Sequence, residues 1–230
     1  MLVLGIETAT DVCAVGLVGA SGDLAEFALL RPRRHGAALA GLVHAALDAA
    51  GEPPEALDAV AVSAGPGSYT GLRIGLSTAK GLCMAAGAAL VSVPTLRAQA
   101  EAAGFGERIA PLVVALPSRR GEVYAEAFQP DPAGWRSVAP AAAVGLTEIA
   151  EWAPPSGSYA LAGPARHHVG DALRGGKAAP SLQTLDARPS GLVVARLGRQ
   201  RLLAGETEDL AAFEPAYLKP FVSGGAPARG

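Results

Sequence analysis

The chain has little of what most catalytic or compartment signatures are built from. It has two cysteines, Cys13 and Cys83, and no C-x-x-C spacing, which excludes a disulfide framework and a zinc ribbon. Its histidines offer no metal pair: His35 and His44 stand nine residues apart on one expected helix, hence on opposite faces, and the adjacent His167 and His168 diverge. No G-x-S-x-G elbow and no G-x-x-x-x-G-K-[ST] loop occurs, so neither an acyl-transfer serine nor a P-loop is present. Charge of one sign is also lacking. With 19 basic against 21 acidic residues the formal charge is −2, which gives no global attraction to nucleic acid. The start, MLVLGIETAT, has no basic leader, and the longest uncharged run in the middle, 81–96, contains Pro94. Neither a signal peptide nor a membrane span is expected, and a reducing cytoplasm fits the cysteine usage.

What is present is an ordinary globular balance, 50% apolar and 17% charged, with one informative run. Gly65-Pro66-Gly67-Ser68-Tyr69-Thr70-Gly71-Leu72-Arg73-Ile74-Gly75 follows an apolar strand at 59–64 and precedes a helical pattern to about 86. Its glycines permit positive φ and close backbone approach, while Ser68 and Thr70 can cap the helix that follows. A structural turn satisfies the glycines. An anion or nucleotide contact at Gly65, Gly67, Ser68 and Thr70 is the functional alternative, although G-x-G-x-x-x-G is not a dinucleotide fingerprint.

Around that turn the first hundred residues predict strands at 2–6, 12–18 and 24–30, a helix at 36–50, the 59–64 strand, the 70–86 helix, a strand at 89–93 and a helix begun by Pro94 and Thr95. The order β-β-β-α-β-α-β-α is that of a ribonuclease-H-like lobe, as in actin-like ATPases and sugar kinases. A second version follows, with strands at 112–116, 122–128, 135–139 and 159–162, a short helix near 147–152, irregular chain at 175–189 and a helix at 190–203. Ala64-Gly65-Pro66 and Ala162-Gly163-Pro164 echo one another and support a duplication. The expected class is thus α/β, an actin-like (ASKHA) fold of two mixed-sheet lobes: 1–103, a smaller 104–222, and a loose tail at 223–230.

Glu7 ends the first strand, where this architecture would point a carboxylate into the cleft between lobes; a lone acid there also reads as a solvated turn residue. Actin-like ATPases place Asp-x-Gly at this position. The run here, Glu7-Thr8-Ala9-Thr10, lacks the glycine that admits a phosphate, which argues against ATP hydrolysis. In the helix after the glycine turn, Gly71, Gly75, Ala79, Cys83 and Gly87 recur every four residues as a ridge of small side chains. Such a ridge serves either this protein's own sheet or a partner helix. Glycines inside a helix cost about 1 kcal/mol each, and the neighbouring helix at 36–50 is equally small and lightly charged, so a two-helix docking face is expected.

The eleven-residue run, with Thr78-Ala79-Lys80-Gly81-Leu82 behind it, closely resembles the signature of the TsaB family, also known as YeaZ. Ile6-Glu7-Thr8-Ala9-Thr10, Gly121-Glu122-Val123-Tyr124 and Glu214-Pro215-Ala216-Tyr217-Leu218 extend the likeness over nearly the whole chain. The resemblance implies a non-catalytic subunit needed to make threonylcarbamoyladenosine at position 37 of tRNAs reading codons that begin with A. It implies pairing with the transferase TsaD, attachment of the small ATPase TsaE and contact with tRNA only through that complex; without TsaD the docking face can pair with its own copy, and the sequence leaves homodimer and monomer both open. The implied interface is the helix pair, here Gly36, Leu39, Val43, Thr70, Gly71, Arg73, Ile74, Gly75, Thr78, Ala79, Leu82 and Cys83. The subunit itself is expected to have no catalytic residues, no metal and no required cofactor, with the partner interface as the place for any ATP or ADP. Three departures stand out: Glu7 replaces the usual Asp, Pro117-Ser118-Arg119 replaces Asp-Ala-Arg, and Gly36-Ala37 follows His35 where the family has a hydroxyl residue and Glu. The rival readings are a catalytic ATPase or kinase of the same fold, a metalloprotease-like hydrolase, and a self-associating scaffold.

Overall fold

The computed structural model describes residues 1–104, 110–132, 134–175 and 180–219. The first sheet contains β1 (Val3–Glu7), β2 (Cys13–Gly19), β3 (Gly22–Leu29), β4 (Ala59–Ser63) and β5 (Ala89–Val93), in the order β3-β2-β1-β4-β5. The second contains β6 (Leu112–Pro117), β7 (Glu122–Asp131), β8 (Gly134–Gly145), β9 (Ser158–Ala162) and β10 (Ser181–Thr184), in the order β10-β9-β6-β7-β8. Outward from β1 and from β6 the pattern is the same: two antiparallel strands on one side, two parallel strands on the other. Each sheet is a ribonuclease-H-like lobe, and the pair makes the actin-like fold. The Ala-Gly-Pro echo falls at equivalent places, just after β4 and β9. Gly65 and Gly163 both have positive φ, 109° and 87°, and a Cβ on either would lie 2.4 Å from a backbone carbonyl oxygen.

β1 is buried on both faces. Leu4 and Ile6 pack under α1 (His35–Ala50) and α2 (Tyr69–Ala86), sharing a core with Leu39, Val43, Leu76 and Ala79. Val3 faces the other way, into a core with Ala59, Ala61, Val91 and Val194. Val194 belongs to α6 (Gly191–Leu203), which chain order assigned to the second lobe and which packs instead on the first sheet. Backbone proximity explains the correction. A Cβ on Gly5 would lie 2.2 Å from the Gly191 carbonyl oxygen, and one on Gly198 would lie 2.2 Å from the Ala61 Cβ, so glycines on both surfaces let the helix settle onto the strands. Its start is held from the first lobe as well. Ser190 caps the Val193 N–H at 3.2 Å, while the Glu26 carboxylate accepts from Ser190 Oγ at 2.6 Å and from the Leu192 N–H at 3.1 Å.

Helix α3 (Thr95–Ala102), assigned to the first lobe, spans both: Leu96 and Ala100 lie among Leu112, Val114 and Phe128, whereas Ala98 faces the first sheet. The two helices thus cross the boundary expected at 103/104. The short helix expected near 147–152 is α4 (Ile149–Trp152), whereas α5 (Arg166–Arg174) and β10 were not anticipated, the latter inside a stretch expected to be irregular. Strand β8 runs on to Gly145 through Pro140 and three alanines, a stretch with no β-branched residue before Val144 that is held by pairing with β7. The loose tail expected at 223–230 lies outside the described residues. Among the described residues no helix is long and apolar enough to cross a membrane.

Candidate functional site

The two lobes and the C-terminal strap enclose a cleft of about 660 Å³. Its walls come from the β1–β2 turn (Ala9 to Val12), the glycine turn (Pro66 to Tyr69), the end of β6 (Leu116 to Arg119) with Tyr124, and the strap itself (Ala216 to Lys219). The strap is tied to both lobes. Its Ala216 N–H donates to the Ala64 carbonyl at 2.8 Å, the Tyr217 ring lies 5.1 Å from that of Tyr69, and Lys219 pairs with Glu122, which also accepts from Ser118 Oγ at 2.7 Å. Those two donors hold the Glu122 carboxyl below the usual carboxylate range. Ser118, a departure from the family pattern, therefore works as a tether of β7. On the outer side of Tyr69, the Arg73 guanidinium lies 5.2 Å from the ring centroid and donates to the phenol oxygen.

Several of the groups expected to meet an anion are bonded within the chain instead. The Gly65 N–H donates to Thr95 Oγ1 at 3.1 Å and the Ser68 N–H to the Ala9 carbonyl at 2.8 Å. Ser68 Oγ caps the Gly71 N–H at 3.2 Å, as its residue type suggested, while Thr70 sits inside the helix on its exposed side. The open sides of the glycines are taken too: a Cβ on Gly65, Gly67 or Gly71 would lie 2.4, 2.5 or 2.1 Å from the carbonyl oxygens of Ala216, Ala9 and Thr8 respectively. The N–H groups of Gly65, Ser68 and Gly71, and the room beside the three glycines, are therefore taken by the chain's own groups.

Glu7 neither points into the cleft nor meets solvent. It is fully buried, its Oε1 accepts the Ala9 N–H at 2.8 Å, and its Oε2 accepts from Ser63 Oγ. Burial pushes its carboxyl up to about 7, against the opposing pull of the Ser63 and Ala9 donors. The buried Cys13 thiol is pushed up to about 11 by burial and by the nearby Glu7. His35 is buried, with its ring nitrogen 3.1 Å from the Val12 carbonyl oxygen, and His44 is exposed. Among the described residues no three His, Cys, Asp or Glu side chains come together as metal ligands.

The small-residue ridge faces inward. Gly71, Gly75, Ala79 and Cys83 are buried against the first sheet, and a Cβ on Gly75 would lie 2.2 Å from Thr8 Oγ1. Gly87 is the left-handed C-cap of α2. Leu39 and Val43 are core residues as well. Helical spacing alone does not say which way a stripe of small residues points, and here close approach of α2 to Thr8 uses it. Of the expected interface, Gly36, Thr70 and Arg73 are exposed and Ile74, Thr78 and Leu82 half-buried. Gly41 on α1 and Gly81 on α2 are also exposed, with nothing within 4 Å of where a Cβ would sit. Sequence reasoning missed the strap's part in the cleft; the Glu214 to Leu218 motif marked it without saying where it packs.

Residues 30–168 match the family model described as TsaD, tRNA N6-adenosine threonylcarbamoyltransferase. The tRNA threonylcarbamoyladenosine biosynthesis protein TsaB of Escherichia coli is 35% identical over 134 residues, which is 58% of this chain and 58% of that protein. The chain thus spans little more than half the length of this curated relative. An uncharacterized Mycobacterium tuberculosis protein is 33% identical over 195 residues, covering 84% of this chain and 83% of its own. A Pseudomonas aeruginosa crystal structure, of an uncharacterized protein with similarity to peptidase YEAZ, superposes with a TM-score of 0.80 at 25% identity, covering 95% of this chain and 99% of that one.

Proposed function

The chain belongs to the TsaB (YeaZ) family, and from that premise we propose that it is a non-catalytic subunit of the bacterial apparatus that forms threonylcarbamoyladenosine at position 37 of tRNAs. It docks on and supports a TsaD-like transferase, which a TsaE-like ATPase joins. The observation that carries the non-catalytic part is the glycine turn: the carbonyl oxygens of Ala9, Thr8 and Ala216 fill its close-approach sides, and Glu7 is folded inward beside Ser63. The room and the N–H groups of Gly65, Ser68 and Gly71 that a phosphate would need are already in use. The docking surface is the outward side of α1 and α2, at Gly36, Thr70, Arg73, Ile74, Thr78 and Leu82, continued by Gly41 and Gly81. The same surface pairs two copies when the transferase is absent.

The subunit requires no cofactor of its own, and any ATP or ADP belongs at the partner interface. With a formal charge of −2, its contacts with tRNA are weak unless a partner supplies most of the binding. Capture from the protein's own cell extract tests the reading. Recovery of a TsaD-like protein supports it; sustained ATP turnover by the purified chain, lost on Glu7→Ala, would favour the kinase-like rival.

A further inference from the structure

We propose that the cleft between the lobes receives one unstacked base of single-stranded RNA, with the arginine loop at 31–34 holding the flanking phosphates. The proposal rests on the tRNA reading above and adds a direct contact that this chain makes by itself. Its first support is an accounting of cations. Most described arginines are spent inside the protein: Arg97 on Glu101, Arg196 on Asp23, Arg201 on Ser92 and Glu206. Arg31, Arg33 and Arg34 are all exposed, and none of their side chains has an ion pair or hydrogen bond among the described residues. Three free guanidinium groups on four consecutive residues, in a chain of net charge −2, are a local attractor for phosphates.

The second support is where that loop sits. His35 follows it directly and is anchored by its ring nitrogen to the carbonyl of Val12, a residue of the cleft wall. The loop is thus joined through His35 to the wall that Val12 forms. The third support is what the cleft is made of. Tyr69, Tyr124 and Tyr217 give it aromatic faces, and Pro66, Pro117 and Pro164 give it flat walls without N–H donors. Asp11 adds a polar group for the edge of a ring. A planar, uncharged ring with a backbone trailing over cations satisfies both halves. Bases splayed from a single strand have that form, whereas a duplex keeps them stacked.

The test titrates the full chain, without partner, into fluorescein-labelled single-stranded decaadenylate RNA and into an RNA duplex of equal length, between 50 and 200 mM salt, reading fluorescence anisotropy. The single strand is expected to bind at least about tenfold more tightly than the duplex. Tyr217→Ala should weaken it by about 5- to 100-fold with the salt slope unchanged, and Tyr217→Phe should retain binding, because stacking needs the ring and not the hydroxyl. Charge reversal at Arg33 and Arg34 should lower the slope of log affinity against log salt by about 1.4, since each single-strand phosphate contact contributes about 0.7. Equal binding of duplex, no binding of either RNA, or binding insensitive to Tyr217→Ala would each overturn the proposal. Because no partner is present, such a failure is separate from failure to capture a TsaD-like protein, which would remove the complex reading instead.

Discussion

Ser63, at the end of β4, donates its hydroxyl hydrogen to the Glu7 carboxylate at the end of β1, so the two parallel strands are joined inside the core at the edge nearest the cleft. An acid in that place is a feature of the fold's interior. Its titration is coupled to folding.

Stability should therefore depend on pH in an unusual direction. Glu7 titrates near 7 in the folded chain against an ordinary 4.5, so the folded state binds the proton more tightly than the unfolded state. Stability is then highest below about pH 4.5 as far as this group is concerned, falls as pH rises towards 7, and is level above it, a loss of about 3 kcal/mol. Glu7→Gln keeps an acceptor for Ala9 and a polar contact for Ser63. It should flatten the dependence between pH 5 and 7 and make the protein more stable than wild type at pH 8, as read by urea unfolding at each pH.

Gly75→Ala should destabilise the chain by about 2 kcal/mol, although alanine is the better helix former. The new Cβ would lie 2.2 Å from Thr8 Oγ1, and Val62 leaves little room to shift. Chemical denaturation measures the effect. A variant as stable as wild type would mean that α2 does not rest on Thr8.

Gly41→Arg and Gly81→Arg should separate docking from folding. Both positions have open space, so each variant keeps the fold and gains about 0.5–1 kcal/mol of helix propensity. Association with a TsaD-like partner, followed by size-exclusion chromatography, should nevertheless be lost, because a long cation then stands on the proposed interface. Undiminished association by the double variant would remove this face from the interface.

The seat of α6 should depend on its glycines far more than on its ion pair. Asp23 and Arg196 are 36% and 54% exposed, so Asp23→Ala should cost under about 1 kcal/mol. Gly198→Ala forces a methyl group against Ala61 Cβ and should cost about 2–3 kcal/mol. Thermal unfolding of the two variants side by side gives the comparison; equal losses would place the anchoring in the surface charges.

Much of this protein was legible in one dimension. The strand–helix order of the first lobe, its echo in the second, the Ser68 cap and the family all follow from local patterns, because hydrophobic period, turn chemistry and a specific eleven-residue run are properties of neighbours in the chain. Direction was not legible. The ridge from Gly71 to Cys83 has the same spacing whether it faces a sheet or a partner, and only the packing of α2 on Thr8 and β4 decides that it faces inward. Glu7 follows the same rule: its position at a strand end was plain, while its burial depends on Ser63, 56 residues away. The crossing of α3 and α6 between lobes and the closure of the cleft by Tyr217 rest on contacts between distant segments, such as Gly5 with Gly191 and Tyr69 with Tyr217. Such contacts leave no periodic trace in the sequence. They arise from which surfaces are flat and small enough to meet once the strands are in place.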